Sequence, residues 1–282
     1  MEHPSAEPVS VSANGWEFAG LQWGPADARP VLLLHGFPQT ATSWGRVGQR
    51  LAEAGLRAIA LDQRGYSPGA RPTDVADYRL PALVSDVCAL IEALGGAVDL
   101  VGHDWGAVVG WQVAGRHPAL VRTWTAVSTA NPLALGAVLA VDEDQRARFG
   151  YIRTFRQEGR AETALLADGA ARLRAIYGGM PSPERVEQDV AFFQQPGVLT
   201  LALNWYRAMS PHDADGLGPV TVPTSYVWGS ADVAFGPVAA ARSGEFVSAP
   251  YTFVPLKGAS HWLPDEAPDT IADVVARQVL GS

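Results

Sequence analysis

The chain has 282 residues, a usual size for one large α/β domain with an insertion, and its 48% hydrophobic and 18% charged residues suit a soluble protein with a substantial buried core. Its formal net charge is −8 and it contains no run of Lys or Arg, so the electrostatic surface that nucleic acids or anionic membranes require is missing. We therefore expect a small ligand that is uncharged or weakly charged.

The cysteine content and the N-terminus bear on the cellular compartment. Cys88 is the only cysteine, so no internal disulfide can form, and its place on the apolar side of a helical pattern predicts a buried structural thiol. The opening residues MEHPSAEPVSVSANGWEF lack the basic and apolar regions of a signal peptide, and no apolar stretch approaches the roughly 20 residues of a membrane span. These features predict a cytoplasmic protein.

The first half of the chain alternates between strand and helix patterns. Segments 9–11 and 16–23 flank Asn14-Gly15, a dipeptide that favours a hairpin because both residues tolerate positive φ. Short apolar strands and amphipathic helices then follow one another, with strands predicted at 31–34, 57–61, 98–101 and 121–127 and helices at 44–54, 80–94 and 107–116. This order predicts a mostly parallel sheet with helices on both faces.

The alternation stops at Asn131-Pro132. Through about Gly218 the chain shows amphipathic helical stretches separated by Pro and Gly, before strands are predicted again at 222–228 and 251–256. A closing helix then has Ile271, Val274, Val275 and Val279 on its buried face. We therefore predict a core formed by 1–130 and 219–282, with a helical cap inserted at 131–218.

A nucleophile motif stands between one predicted strand and the helix after it. Gly102-His-Asp-Trp-Gly106 has the Gly-x-nucleophile-x-Gly pattern of a sharp strand-to-helix turn, with Asp104 at the position where lipases and esterases have serine. Glycines suit the flanking positions because side chains there would collide with the adjoining strand and helix. Asp104 could also simply cap the helix, but the strand–turn–helix context favours a nucleophile.

The chain resembles the α/β-hydrolase superfamily and, more narrowly, the microbial epoxide hydrolases with an aspartate nucleophile. The resemblance extends from His35 to the last helix. It depends on five motifs taken together: His35-Gly-Phe-Pro38, His103-Asp-Trp-Gly106, Asn204-Trp-Tyr-Arg207, Trp228-Gly-Ser-Ala-Asp232 and Ser260-His-Trp262. It implies an α/β-hydrolase fold and hydrolysis of an epoxide to a diol.

The resemblance also implies partners for Asp104. His261 follows the last strand, where this fold has its catalytic base, and Asp232 follows the preceding strand, where the orienting acid belongs. Asp265 and Glu266 are the rival acids for Asp232. The backbone N–H groups of Phe37 and Trp105 are expected to form the oxyanion hole, while His35 and His103 are expected to be structural neighbours.

The choice of aspartate indicates displacement at saturated carbon, because a carboxylate is already ionised at neutral pH and gives an alkyl ester that water can hydrolyse. An epoxide oxygen then needs a proton donor, and tyrosine phenols remain protonated at neutral pH. The resemblance implies Tyr206 as a ring-opening donor and Tyr151 as its partner, although both could be aromatic packing in the cap. Ile152 stands directly after Tyr151, where some relatives have a polar residue. Tyr177 is the reserve candidate for the second donor.

We therefore expect an epoxide hydrolase that needs no cofactor and no metal ion, acting on a small hydrophobic epoxide and water. A dehalogenase with the same triad is the first alternative, and a non-catalytic hydrolase-fold protein that binds small ligands is the second. The cap residues Phe149, Phe155, Phe192 and Phe193 suggest a hydrophobic substrate, but they could equally be core. Neither nucleic acid nor membrane is expected as a partner, and a homodimer is compatible with the sequence.

Overall fold

The fold, taken from a computed structural model that describes residues 5–281, is built on one eight-stranded sheet. The strands are β1 (Glu7–Ala13), β2 (Trp16–Trp23), β3 (Pro30–Leu34), β4 (Arg57–Leu61), β5 (Val98–His103), β6 (Val121–Val127), β7 (Thr224–Gly229) and β8 (Tyr251–Leu256). Their order in the sheet is β1-β2-β4-β3-β5-β6-β7-β8. β2 is antiparallel to both β1 and β4. The other six strands, β3 to β8, run parallel to one another.

The first two strands form the predicted hairpin. Its turn is Asn14-Gly15, and both residues have positive φ (51° and 77°), as a two-residue hairpin turn of this type requires. Ala13 pairs with Trp16 directly beside the turn. The hairpin therefore has the register that the dipeptide predicts.

Helices cover both faces of the sheet. The helices outside the cap segment are α1 (Gly45–Glu53), α2 (Leu80–Ala93), α3 (Trp105–Arg116), α10 (Pro237–Arg242), α11 (Leu263–Glu266) and α12 (Pro268–Leu280). In β3, Val31 and Leu33 belong to the core shared with α1 and α12, whereas Leu32 and Leu34 belong to the core shared with α2 and α3. Burial on both faces explains why the central strands are continuous apolar runs.

The helices between β6 and β7 form the cap. They are α4 (Pro132–Leu139), α5 (Glu143–Arg148), α6 (Ile152–Phe155), α7 (Arg160–Ala175), α8 (Pro183–Phe193) and α9 (Val198–Arg207). Phe37, at the carboxyl end of β3, contacts the rings of Phe155, Phe193 and Tyr206 from three of these helices. The cap therefore covers the carboxyl ends of the strands. The predicted fold class is confirmed, while the limits 131 and 218 remain a prediction.

Three details differ from the sequence-based expectations. β7 begins at Thr224 rather than Val222; Pro223, which has no N–H for the ladder, precedes it. Helix α3 begins at Trp105, earlier than predicted, because the turn at Asp104 leads directly into it. Cys88 is only partly buried, since it lies at the margin of the core on α2 and packs against the core without being enclosed. The prediction of a buried thiol was therefore wrong.

Within residues 5–281, no helix is long and apolar enough to cross a membrane.

Candidate active site

Asp104 lies in the sharp turn between β5 and α3. Its φ of 50° and ψ of −119° are unusual for a residue with a side chain. A Cβ atom at Gly102 would lie 2.5 Å from the Gly106 carbonyl oxygen, and a Cβ atom at Gly106 would lie 2.2 Å from the Leu34 carbonyl oxygen. The two glycines are therefore required by the close approach of backbone segments, which is the steric argument made from the motif.

The carboxylate of Asp104 has two oxygens in different surroundings. Oδ1 accepts the backbone N–H of Phe37 at 2.8 Å, whereas Oδ2 lies 3.6 Å from Nε2 of His261. Burial by itself raises the pKa of Asp104, but interactions with His261, with His103 and with the backbone N–H of Trp105 outweigh it and lower the pKa overall. The group is therefore an ionised carboxylate at neutral pH, with Oδ1 at the predicted oxyanion hole.

His261 is held between two carboxylates. Its Nδ1 lies 2.8 Å from Oδ2 of Asp232, and Oδ1 of Asp232 accepts the backbone N–H groups of Ala234 (2.7 Å) and Phe235 (2.9 Å). These bonds orient the carboxylate, which in turn fixes the imidazole with Nδ1–H as donor and Nε2 toward Asp104. Burial lowers the pKa of His261, but the carboxylates of Asp232 and Asp104 outweigh it and raise the pKa to about 10.

The rival acids have other partners. Asp265 accepts a hydrogen bond from the side-chain amide of Gln39 at 2.6 Å, and Glu266 accepts the backbone N–H and the hydroxyl of Ser260. The structure thus brings Asp232, and neither Asp265 nor Glu266, to the imidazole of His261.

The two motif histidines are buried and hold backbone segments in place. Nε2 of His103 lies 2.8 Å from the carbonyl oxygen of His261, to which it donates, and Nε2 of His35 accepts the backbone N–H of Gln63 at 3.1 Å. Burial, followed by the neighbouring His261, lowers the pKa of His103 to about 4, so this ring is neutral near pH 7. Burial likewise lowers the pKa of His35. Both rings have the structural surroundings expected from the sequence.

Two cap tyrosines face Asp104 together. Tyr206 on α9 is 3% exposed and Tyr151 is 37% exposed; their ring centroids are 6.2 Å apart. Burial raises the pKa of Tyr206 far above its ordinary value, with smaller contributions from Tyr151 and Asp104. Tyr151 borders the two cavities beside Asp104 and is otherwise enclosed by protein; burial, followed by the carboxylates of Asp104 and Asp232, also raises its pKa. Both phenols are therefore protonated at neutral pH and can donate a hydrogen bond.

Tyr177, the reserve candidate, has a different environment. It is 1% exposed, and its hydroxyl donates to the Pro38 carbonyl oxygen at 2.6 Å. Neither cavity beside Asp104 includes it in its lining. The structure therefore places Tyr151 and Tyr206, but not Tyr177, where they could reach a molecule bound at Asp104.

Two cavities meet at Asp104. One has a volume of about 430 Å³ and the other of about 330 Å³, and their linings share Asp104, Tyr151 and Tyr206. The larger cavity is lined mainly by apolar side chains, among them Trp105, Val108, Leu135, Leu139, Phe149, Ile152, Met209 and Phe235. The smaller one includes Phe37, Phe155, Ile176, His261 and Trp262. Such surroundings suit a hydrophobic molecule whose reactive atoms lie beside Asp104 and whose two ends extend into the two cavities.

Sequence reasoning missed two residues of α5 that support Asp232. The side chain of Gln145 is buried; its amide nitrogen donates to the Ala234 carbonyl oxygen at 2.7 Å and its oxygen accepts the Gly236 N–H at 2.9 Å. Arg148 donates to the carbonyl oxygen of Asp232 itself. The segment Glu143–Arg148 has the composition of an ordinary charged surface helix, so no signal in the sequence marks these contacts.

The arrangement brings together an ionised carboxylate, an imidazole held by a second carboxylate, a backbone donor at one oxygen of the first carboxylate and two phenolic donors. Among the residues from 5 to 281, no group of three or more His, Cys, Asp or Glu side chains could hold a metal ion. With its carboxylate, imidazole and phenols, the site has the groups needed to form a covalent ester at Asp104 and to present a water molecule to it through His261.

Comparison with known proteins places the chain in a family. Residues 31–274 match the model of the "Alpha/beta hydrolase family". The chain is 30% identical to Epoxide hydrolase A of Mycobacterium tuberculosis, with 96% of each protein covered, and 32% identical to Epoxide hydrolase 2 of Caenorhabditis elegans, covering 96% of this chain and 81% of the relative. The crystal structure of Epoxide Hydrolase A from Mycobacterium thermoresistibile superimposes with a TM-score of 0.85 at 27% identity, covering 98% of this chain and 99% of that one. The chain therefore belongs to the alpha/beta hydrolase family and is similar to epoxide hydrolases within it.

Proposed function

We propose that the protein is an epoxide hydrolase that opens the ring through an ester on Asp104. The observation that carries the proposal is the asymmetry of this carboxylate. Oδ1 is occupied by the Phe37 N–H, while the side chain also lines the cavities into which Tyr151 and Tyr206 project. A nucleophilic oxygen and two proton donors thus face the same space, as the opening of an epoxide requires. The similarity to epoxide hydrolases supports the same activity.

In the first step, Oδ2 of Asp104 attacks a ring carbon and the carbon–oxygen bond of the epoxide breaks. The departing oxygen takes a proton from Tyr206 or Tyr151, whose high pKa values keep them protonated until the alkoxide forms. The products are an alkyl ester at Asp104 and a new hydroxyl group. This step needs no base, because the carboxylate is already ionised.

Formation of the ester changes the state of His261. The Asp104 carboxylate is one of the charges that raise the pKa of His261, and esterification removes that charge. We infer that the imidazolium then gives up its proton, directly or through water, to restore the phenol. The resulting neutral imidazole can act as a general base, oriented by Asp232.

In the second step, His261 takes a proton from water and the hydroxide attacks Cγ of Asp104. Negative charge develops on Oδ1, which faces the backbone N–H of Phe37, with Trp105 N–H nearby. Collapse of the intermediate breaks the ester bond, and the departing alkoxide takes up the proton that the added hydroxide carried; the diol is released, Asp104 is a carboxylate again and His261 is left protonated, as at the start. Overall, one water is added to one epoxide, and neither a cofactor nor a metal ion takes part.

The experiment that tests this proposal measures diol formation from aryl and alkyl epoxides by the wild type, Asp104→Ala and Tyr206→Phe. We expect the first variant to lose turnover and the second to lose most of it while remaining folded. Halide release from a haloalkane or haloacid, unaffected by Tyr206→Phe, would support dehalogenation instead. Ligand binding without turnover, retained after His261 is replaced, would support a non-catalytic protein.

The finer parts of the proposal concern substrate and setting. The apolar linings favour a hydrophobic epoxide over a charged one. A cytoplasmic location and a homodimeric state also remain predictions, to be tested by cell fractionation and by light scattering.

A further inference from the structure

The backbone turn that carries the Phe37 N–H is fixed by the core. This turn, residues 36–39, is called the oxyanion turn below. It is closed by the Gln39 N–H, which donates to the Gly36 carbonyl oxygen at 2.9 Å, while the Gln39 side chain donates to Asp265 at 2.6 Å. Because the N–H of Phe37 belongs to this turn, its direction toward Asp104 depends on how firmly the turn is held.

The cap supplies a further anchor through Tyr177. The Tyr177 hydroxyl donates to the Pro38 carbonyl oxygen, at the corner of the oxyanion turn, at 2.6 Å. The tyrosine is 1% exposed, and its ring centroid lies 4.8 Å from that of Trp262, the residue after His261. One cap side chain therefore contacts both the turn beside Asp104 and the segment that holds the base.

Charged groups of α8 fix the tyrosine in turn. Oδ2 of Asp189 lies 2.9 Å from the Tyr177 hydroxyl oxygen, and Oδ1 of Asp189 accepts from Arg185 at 2.5 Å. Since a carbonyl oxygen only accepts, Tyr177 supplies the proton in its contact with Pro38. In the contact between Tyr177 and Asp189, a protonated Asp189 carboxyl can then donate to the Tyr177 oxygen. Burial raises the pKa of Asp189 to about 7, so part of this group is protonated near neutral pH.

From this geometry we propose that Tyr177 is a positioning residue for the second chemical step, in which it holds the oxyanion turn while the Asp104 ester is hydrolysed. The inference rests on the proposed function. The two steps use the turn differently: alkylation removes negative charge from the carboxylate, whereas attack of water on the ester builds negative charge on Oδ1, next to the Phe37 N–H. A less firmly held turn therefore slows hydrolysis and spares alkylation.

The test is Tyr177→Phe, which removes the hydroxyl and keeps the ring against Trp262. Stopped-flow fluorescence and mass spectrometry of the acid-quenched enzyme give the rates of ester formation and ester decay with one epoxide that the wild type turns over. We expect ester formation at the wild-type rate and ester decay slowed about tenfold, less than the roughly 10²-fold or more for losing an oxyanion-hole donor outright. The ester should therefore accumulate in the variant.

The matched control is Tyr78→Phe. Tyr78 is also 1% exposed and its hydroxyl donates to the carbonyl oxygen of another proline, Pro72, at 2.7 Å. This variant also loses a hydrogen bond from a tyrosine to a proline carbonyl, a part-buried one away from the oxyanion turn, so both steps should keep their wild-type rates. Hydrogen exchange of peptides covering 36–43 should accelerate in Tyr177→Phe and stay unchanged in Tyr78→Phe.

A second variant, Asp189→Asn, keeps the proposal testable if Tyr177→Phe folds poorly. The amide can donate to the Tyr177 oxygen and leave the tyrosine proton on Pro38, so ester decay at close to the wild-type rate is expected. An ester that decays equally fast in Tyr177→Phe and wild type, or two steps that slow in parallel, would overturn the inference alone. A wild type that forms no ester with any epoxide would overturn the proposed function on which it rests.

Discussion

Oδ1 of Asp104 accepts the backbone N–H of Phe37 at 2.8 Å and leaves Oδ2 as the carboxylate oxygen that lies 3.6 Å from Nε2 of His261. The two oxygens therefore have separate parts in the proposed chemistry. Oδ2 forms the ester bond, and Oδ1 becomes the ester carbonyl oxygen, already next to the donor that stabilises it when water attacks. A serine has one side-chain oxygen and could not divide these parts in the same way.

Replacing His261 by glutamine should separate the two steps. Ester formation needs only the carboxylate and the phenols, whereas ester hydrolysis needs a base, whose loss costs about 10²- to 10⁴-fold. We expect His261→Gln to form one equivalent of covalent adduct and then stop. Peptide mass spectrometry should find the substrate mass on the peptide that contains Asp104. A variant that turns over at the wild-type rate, or one that never forms the adduct although it is folded, would contradict the role given to His261.

The two cap tyrosines should contribute to ester formation and not to ester hydrolysis. Tyr206→Phe and Tyr151→Phe each remove one phenolic donor that faces the nucleophile, and we expect each to slow alkylation by about 10²-fold or less, since the remaining phenol can still protonate the oxygen. The double variant should lose nearly all turnover. Single-turnover rates with the same epoxide measure the effect. The assignment fails if the double variant opens the ring at the wild-type rate.

The stability of the protein should depend on pH through His261. Its pKa is raised from 6.5 to about 10 by the flanking carboxylates, so the folded state binds a proton that the unfolded state releases between these values. This contribution is fully present below pH 6.5 and is lost as the pH rises through about 10. The difference in free energy of unfolding between wild type and His261→Gln should therefore be largest near pH 6.5 and shrink as the pH approaches about 10.

Urea unfolding at several values across this pH range provides the measurement. Working above the acidic range avoids the contribution of Asp104, whose lowered pKa has the opposite sign and acts as the pH falls. A difference that stays constant or grows with rising pH would show that the carboxylates do not hold the imidazolium as described.

Gly106, the second glycine of the turn at Asp104, should be needed for stability. A Cβ atom at Gly106 would lie 2.2 Å from the Leu34 carbonyl oxygen, so Gly106→Ala must shift backbone, at a cost of about 1–3 kcal/mol in the free energy of unfolding. Gly45→Ala is the control, because it lies in the first turn of α1 with no atom within 4 Å of its Cβ position and a negative φ. Thermal unfolding of both variants tests this difference. Equal stability of the two would refute the steric account of the turn.

The parts of the fold that the sequence predicts are those governed by local pattern. Asn14-Gly15 determines a hairpin because two adjacent residues with positive φ suffice for that turn. The sharp turn at Asp104 was predictable for a similar reason, because the two glycines that it requires stand at fixed positions on either side of Asp104 in the sequence. Whether each core element is a helix or a strand followed from the spacing of its hydrophobic residues and from the length of the segment. Even so, β7 starts two residues later than predicted, beyond Pro223.

The parts that the sequence could not supply depend on contacts between distant segments. Asp232 and Asp265 both follow strands near the end of the chain, and only the structure shows that Asp232 faces His261 while Asp265 binds Gln39. In the sequence, Tyr177 cannot be told apart from the other two cap tyrosines, yet its hydroxyl donates to the carbonyl oxygen of Pro38, 139 positions away. No periodicity records such a pairing, because it depends on how the cap packs on the core.

The most direct test of the account is the origin of the oxygen in the first diol formed. Enzyme in excess over an epoxide is allowed one turnover in water enriched in heavy oxygen (¹⁸O), and the diol and the peptide containing Asp104 are then analysed by mass spectrometry. The account predicts an unlabelled diol, because its new oxygen comes from Asp104, and one heavy oxygen retained in that carboxylate. A labelled diol from the first turnover, with an unlabelled Asp104, would mean that water attacks the epoxide directly and would contradict the ester intermediate.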